Sequence, residues 1–224
     1  MLALKLGLSL VSTPRLGGWS PDDETSLQAW YQNAVGITLN GSDVSAWADS
    51  STNGYNMVQA TATEQPAYSA GVLTFVSADS NNLQTTGQVS LSGDFTLGIV
   101  FNPSISAPGT ILGDNTTSNE FIKYTSTTNF RIKMDGTIAN IPLDSGTFGD
   151  DYIVVTRVSN VLTLYKDGVA QSTTPTLAGT ADIDAIGVRS SDQDFLDGAI
   201  KEIQIYNSSS AGLTANVNDR LATL

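Results

Sequence analysis

The side chains that most often carry out catalysis are either missing from this sequence or poorly spaced for it. There is no histidine and no cysteine, which removes Ser-His-Asp and Cys-His catalysis, thiolate zinc sites and disulfide frameworks together. A metal ion would find only carboxylate, amide or carbonyl oxygens, a donor set that suits calcium. Glutamate stands only at Glu24, Glu64, Glu120 and Glu202, so the acid and nucleophile that together cleave a glycosidic bond have no closely spaced candidates. Asp192, Asp194 and Asp197 form the nearest acidic cluster. They sit among serine and glycine just ahead of a final apolar run and read as a solvated loop. The expectation is a protein that is not an enzyme, with no catalytic residues, no cofactor and no assigned metal.

The other chemistry on offer is aromatic and amide. A sugar is held by a ring against its apolar face and by amides or carboxylates on its hydroxyls. Tyr55 stands near Asn53 and Asn56, and Tyr124 is followed by the run Thr125-Ser126-Thr127-Thr128. Tyr55, Asn53, Asn56 and Tyr124 are therefore the candidate ligand-binding residues. The plainer alternative is a tyrosine at a sandwich edge with only its hydroxyl in water. Trp30 and Trp47 lie in apolar patterns and belong to the expected core.

Strands must position these residues. Phe95, Leu97, Ile99 and Phe101 alternate with Thr96, Gly98 and Val100, the period of a strand with one face in a core. Phe130, Ile132 and Met134 alternate in the same way up to Asp135-Gly136, after which Ala139, Ile141 and Leu143 resume, which predicts a hairpin. Tyr152 to Val158 and Val161 to Tyr165 predict a second hairpin about Ser159-Asn160. Ile183, Ile186 and Val188 suggest a short strand. In the last one, Ile203 and Ile205 lie on one face, Glu202 and Gln204 on the other. Leu213, Val217, Leu221 and Leu224 recur at helical spacing after Ser208-Ser209-Ser210, so a short helix with a serine N-cap is expected, covering an open edge. Strands separated by Gly, Asn, Ser and Asp clusters, with no helices between them, argue for an antiparallel sandwich.

The composition agrees with a single core. With 224 residues, 40% hydrophobic and 14% charged, the chain has enough apolar matter for one β-sandwich. A net charge of −12 lacks the basic stripe that neutralises phosphates, so nucleic acid is not an expected partner. No apolar run approaches the roughly 18 to 20 residues that cross a bilayer, so no membrane is expected either.

The order of motifs resembles a known family. Leu27-Gln28-Ala29-Trp30-Tyr31, Val44 to Ser50, Asn53-Gly54 and Gln65-Pro66-Ala67-Tyr68 are followed by Leu73-Thr74-Phe75 through Asn82-Leu83. Tyr165-Lys166-Asp167-Gly168-Val169 and the stretch Phe195 to Asn207 come next. Together they resemble laminin-G-like domains of the concanavalin A-like lectin/glucanase superfamily over about residues 25 to 224. That resemblance implies an all-β, two-sheet antiparallel jelly-roll sandwich with a short C-terminal helix, preceded here by an extended N-terminal arm. It also implies two tests. Glucanases of the superfamily carry E-x-D-x-E or E-x-D-x-x-E, which none of the four glutamates matches. Its calcium sites use an aspartate at the position held here by Val76, leaving Asp79, Asn81, Asn82 and Glu202 as remaining oxygen donors.

Leu4, Leu6, Leu8 and Leu10 alternate with Lys5, Gly7 and Ser9, so the arm reads as a strand with one apolar face. Residues 1–24 are expected to be an attachment segment and residues 25–224 the jelly roll. An arm of this kind is similar to those of tailed-bacteriophage structural proteins. The resulting expectation is a virion structural or decoration protein, made in the host cytoplasm. It would be present in many copies or as a homo-oligomer, bound to other virion proteins through the arm and in contact with surface glycan. The alternative is a secreted, extracellular carbohydrate-binding module whose first 20 residues are processed.

Overall fold

The computed structural model describes residues 18–104, 108–116, 121–190 and 192–224; the expected leucine strand of the arm lies outside the described residues. Among the described residues, seventeen strands and one α-helix follow in order, with three single-turn 3-10 helices before and between the early strands. The first six strands are short: β1 (Leu27–Tyr31), β2 (Ile37–Asn40), β3 (Asp43–Trp47), β4 (Met57–Val58), β5 (Ala67–Ser69) and β6 (Val72–Phe75). Next come β7 (Leu83–Leu91), β8 (Phe95–Pro103), β9 (Gly109–Gly113), β10 (Phe121–Ser126), β11 (Asn129–Met134) and β12 (Thr137–Pro142). The chain closes with β13 (Asp151–Val158), β14 (Val161–Lys166), β15 (Val169–Ala170), β16 (Ala181–Ile186), β17 (Gly198–Tyr206) and α1 (Ala211–Leu221).

Local chemistry accounts for the turns. Asp135 and Gly136 have φ of 43° and 78°, and Ser159 and Asn160 have φ of 50° and 68°. These left-handed pairs make the tight hairpin turns whose twist matches the flanking strands. The β11–β12 and β13–β14 hairpins are thus found where the sequence places them.

All pairings are antiparallel, and they build two layers. One sheet runs β1-β17-β8-β13-β14-β15. The other runs β4-β7-β16-β9-β10-β11-β12. The short strands β3, β5 and β6 carry the hydrogen bonding around one side, from β4 back to the start of β17. Between the layers lie Trp47, Phe75, Leu97, Ile99, Phe101, Phe130 and Ile132, all buried. Phe148 packs its ring 5.7 Å from Phe101 and 6.2 Å from Phe130. This is the two-sheet jelly-roll sandwich expected from the sequence.

Two expectations need correction. The helix does not cover an edge: it lies on the outer face of the first sheet, against β8 and β13. Its Leu213, Val217 and Leu221 join Leu27, Trp30, Val100, Val154 and Tyr206 in a second apolar cluster. Full burial of such side chains contributes roughly 1.5–3 kcal/mol each. Where α1 covers them the central strands are buried on both faces, and Thr96, Val100, Glu202 and Gln204 are buried along with their inward-facing neighbours. Ser210 caps the helix as expected, its side chain accepting a 3.1 Å hydrogen bond from Leu213 N.

The described residues just before β1 also rest on this layer. Trp19 packs against the second cluster, and its indole donates to Glu24 Oε1 at 2.9 Å. No helix among the described residues is long and apolar enough to cross a membrane.

Candidate ligand-binding site

The amides proposed from the sequence hold a loop together. Asn53 Nδ2 donates to the carbonyls of Leu27 and Gln28 at 3.0 and 2.9 Å. Asn56 Oδ1 accepts from Asp49 N at 2.9 Å. Tyr55 N donates to Asp49 Oδ2, and Tyr55 O accepts from the Tyr31 hydroxyl at 2.7 Å. The half-buried Tyr55 ring lies over Gly87, where a Cβ would stand 3.0 Å from two of its carbons. A depression of about 240 Å³ beside this loop is lined by Asp22, Glu24, Gln28 and Asn53, among other polar residues, and has no aromatic wall.

Tyr124 is not available as a stacking surface. It is only 1% exposed, because β10 turns this residue into the core beside Phe101. Its hydroxyl donates to Asp197 O at 2.8 Å. Burial, followed by the nearby Asp197 charge, pushes the phenol up to about 12. The Thr-Ser run after it ends β10 and forms the turn into β11, and the tyrosine belongs to the sandwich.

The oxygen donors near Val76 do not converge either. Asn81 Oδ1 accepts from Val76 N, and its Nδ2 donates to Gln65 O. Glu202 is fully buried on the helix side of β17. It accepts from Arg220 Nε and Nη2, Trp30 Nε1, Gln204 Nε2 and Asn33 N. With both oxygens engaged, it has no free lone pair directed at solvent.

A different place combines rings with open hydrogen-bonding groups. In the β13–β14 hairpin Tyr165 lies opposite Val154, which is two residues from Tyr152, so both tyrosines fall on the helix side of the sheet. Since α1 covers Val154, the two half-buried rings flank the helix. Between them and α1 is a groove of about 410 Å³, lined by Tyr152, Tyr165, Thr214, Ala215, Asn218 and Asp219. Asn218 donates through Nδ2 to Thr214 O at 2.8 Å, while its Oδ1 is buried without a hydrogen-bond partner. Gly168 also lines the groove. A Cβ there would stand 3.1 Å from the Tyr152 hydroxyl, and its φ is +77°. Burial, then Asp167 and Asp219, raises the Tyr152 phenol, which keeps it a proton donor.

A second hollow of about 300 Å³ begins on the other side of Tyr152 and is lined by Val100, Asp150, Asp167, Lys201 and Leu221, among others. Such volumes are those of small-ligand sites. Rings, a phenol hydroxyl and a carboxylate can bind a polyhydroxylated ligand. The one sequence signal was the pair of tyrosines at matching same-face positions of a hairpin. Nothing in the sequence placed the helix beside them.

The sequence pattern of the concanavalin A-like lectin/glucanases superfamily matches residues 76–211. Among curated protein sequences none matches. Solved structures resemble the chain in fold. Domain 4 of AbnA, an extracellular GH43 arabinanase from Geobacillus stearothermophilus solved with arabinotriose, is 16% identical with a TM-score of 0.59. The match covers 88% of this chain and 98% of that domain. Trypanosoma rangeli sialidase with the inhibitor DANA is 15% identical with a TM-score of 0.55, over 88% of this chain and 32% of the sialidase. The same sialidase in another complex gives 12% identity and a TM-score of 0.52. This chain therefore spans about a third of the sialidase it matches.

Proposed function

Because the chain belongs to the concanavalin A-like lectin/glucanase superfamily, we propose that it is a non-catalytic carbohydrate-binding domain holding its glycan in the groove between α1 and the β13–β14 hairpin. The observation that carries this reading is the meeting of the Tyr152 and Tyr165 rings with the Asp219 carboxylate in one groove. Sugar recognition needs this combination of an apolar ring face and in-plane hydrogen-bonding groups. The non-catalytic part rests on Glu202, whose oxygens are both engaged by Arg220 and its neighbours, and on the wide spacing of the other glutamates. The fold alone hosts both enzymes and binders, so the site has to decide.

The virion setting expected from the leucine arm gains no support from these relatives, so the proposal concerns binding alone. The AbnA domain was solved with arabinotriose, which makes arabinotriose the first probe. The test is a glycan array followed by calorimetry on the full chain. Binding is expected to fall at least about tenfold, a loss of about 1.4 kcal/mol, in Tyr152→Ala and in Tyr165→Ala, and to persist in Tyr55→Ala. A well-folded protein that binds no glycan on the array, or binds equally after both groove substitutions, would overturn the reading.

A further inference from the structure

We infer that this groove takes an uncharged glycan chain and turns away glycans bearing carboxylates; the inference rests on the groove being the glycan site. The groups around it are unequal in charge. Asp219 lines the groove from α1, and Asp150, Asp151 and Asp167 line the adjoining hollow. Against these four carboxylates stand two ammonium groups, and each already lies on a carboxylate. Lys166 Nζ is 2.7 Å from both Asp151 Oδ1 and Asp167 Oδ2. Lys201 Nζ is 3.4 Å from Asp150 Oδ1. Asp219 has no ion-pair partner among the described residues. The nearest guanidinium on its own helix, Arg220, is committed to Glu202.

The other described cations lie elsewhere: Arg131 is bound to Asn140, and Arg157 is buried on the carbonyls of Leu91, Gly93 and Gly179. Lys123, Lys133 and Arg189 surround the ring of Phe121 on the second sheet, 5.0, 6.0 and 5.5 Å from its centroid. They are on the far layer of the sandwich and cannot neutralise an acid bound at α1. A carboxylate entering the groove would thus meet Asp219 with no unpaired cation beside it among the described residues to offset it. A neutral sugar gains from the same arrangement, because Asp219 is an acceptor for its hydroxyl protons and the Tyr152 phenol is a donor.

The site also favours a chain over a single ring. The two hollows, of about 410 and 300 Å³, both have Tyr152 as a wall. They follow the flank of an 11-residue helix that is about 16 Å long at 1.5 Å per residue. Tyr152 then stands midway along the ligand.

Calorimetry of the full chain at near-physiological ionic strength tests this. The probes are linear arabino-, malto-, cello- and xylo-oligosaccharides as the neutral set, with oligogalacturonate and sialyllactose as the acidic set. At least one neutral series is expected to bind, more tightly as it lengthens, with acidic probes weaker by at least about tenfold, the scale of one unscreened like-charge contact. Asp219→Lys, at an exposed helix position, should narrow or reverse that ratio, with folding checked by circular dichroism. Acidic probes that bind as well as neutral ones, with binding still lost in Tyr152→Ala, overturn the charge selection and leave the groove standing. Binding that survives Tyr152→Ala and Tyr165→Ala overturns both.

Discussion

Arg220, in the last turn of α1, closes bidentately on Glu202 in β17, with Nε to Oε1 at 2.7 Å and Nη2 to Oε2 at 2.9 Å. The same guanidinium lies over the Trp30 ring, 4.9 Å from its centroid. A carboxylate this deeply buried is tolerated only when its lone pairs are satisfied. Trp30 Nε1, Gln204 Nε2 and Asn33 N complete the set, and Tyr206 donates onward to Gln204 Oε1 at 2.8 Å. The helix is therefore held by an ion pair as well as by its apolar stripe, and that pair sets where one wall of the groove stands.

Replacing Arg220 with Met leaves Glu202 buried without its cation. The expected cost is about 3–5 kcal/mol, read as a lower urea midpoint. The double variant Glu202→Leu with Arg220→Met should recover most of it. A loss below about 1 kcal/mol in the single variant would mean that water reaches Glu202 and the helix is not firmly docked.

Gly98 of β8 is the contact point beneath the helix. A Cβ there would stand 2.6 Å from Val217 Cγ1 and 3.0 Å from Leu221 Cδ1. Gly98→Val should lift α1, costing about 1–3 kcal/mol. Amide hydrogen exchange should quicken across 211–221 before it does in β13, and glycan binding should fall with it.

Asn218→Ala tests the buried, unpartnered Oδ1. The substitution removes that atom together with the Nδ2 bond to Thr214 O, and alanine is the better helix former. The melting temperature should stay level or rise, because a buried acceptor without a donor costs about 1–3 kcal/mol. A clearly lower melting temperature would mean that the amide is satisfied in solution.

Alkaline titration reports the buried phenols. Burial raises Tyr31, Tyr124, Tyr152 and Tyr206 above the ordinary value of 10, Tyr124 to about 12. A raised phenol keeps its proton in the folded state while the unfolded chain has begun to lose it. Its stabilising contribution is thus complete below pH 10 and lost as pH climbs through the folded value, about 12 for Tyr124. Absorbance near 295 nm should show a late-titrating fraction coinciding with unfolding. Tyr124→Phe should shrink that fraction and cost about 1 kcal/mol for the lost bond to Asp197.

Much of this molecule is legible residue by residue. The alternation of Phe95 to Phe101, the left-handed pairs Asp135-Gly136 and Ser159-Asn160, and the Ser210 cap each depend on neighbours along the chain, and local rules recover them. Tyr124 did not yield to the same reasoning. An aromatic beside a Thr-Ser run looks alike in sequence whether its strand turns it toward water or toward Phe101. Glu202 and Gln204 alternate as an outward, polar face should, yet they are buried, because α1, which follows β17 directly, folds back to lie on that face. The tyrosine groove exists for the same reason: Tyr152 and Tyr165 become its walls only once the helix is beside them. Strand period and turn chemistry follow from each residue and its immediate neighbours, whereas burial and a binding surface are properties of two elements brought together, and only the tertiary structure decides which two meet.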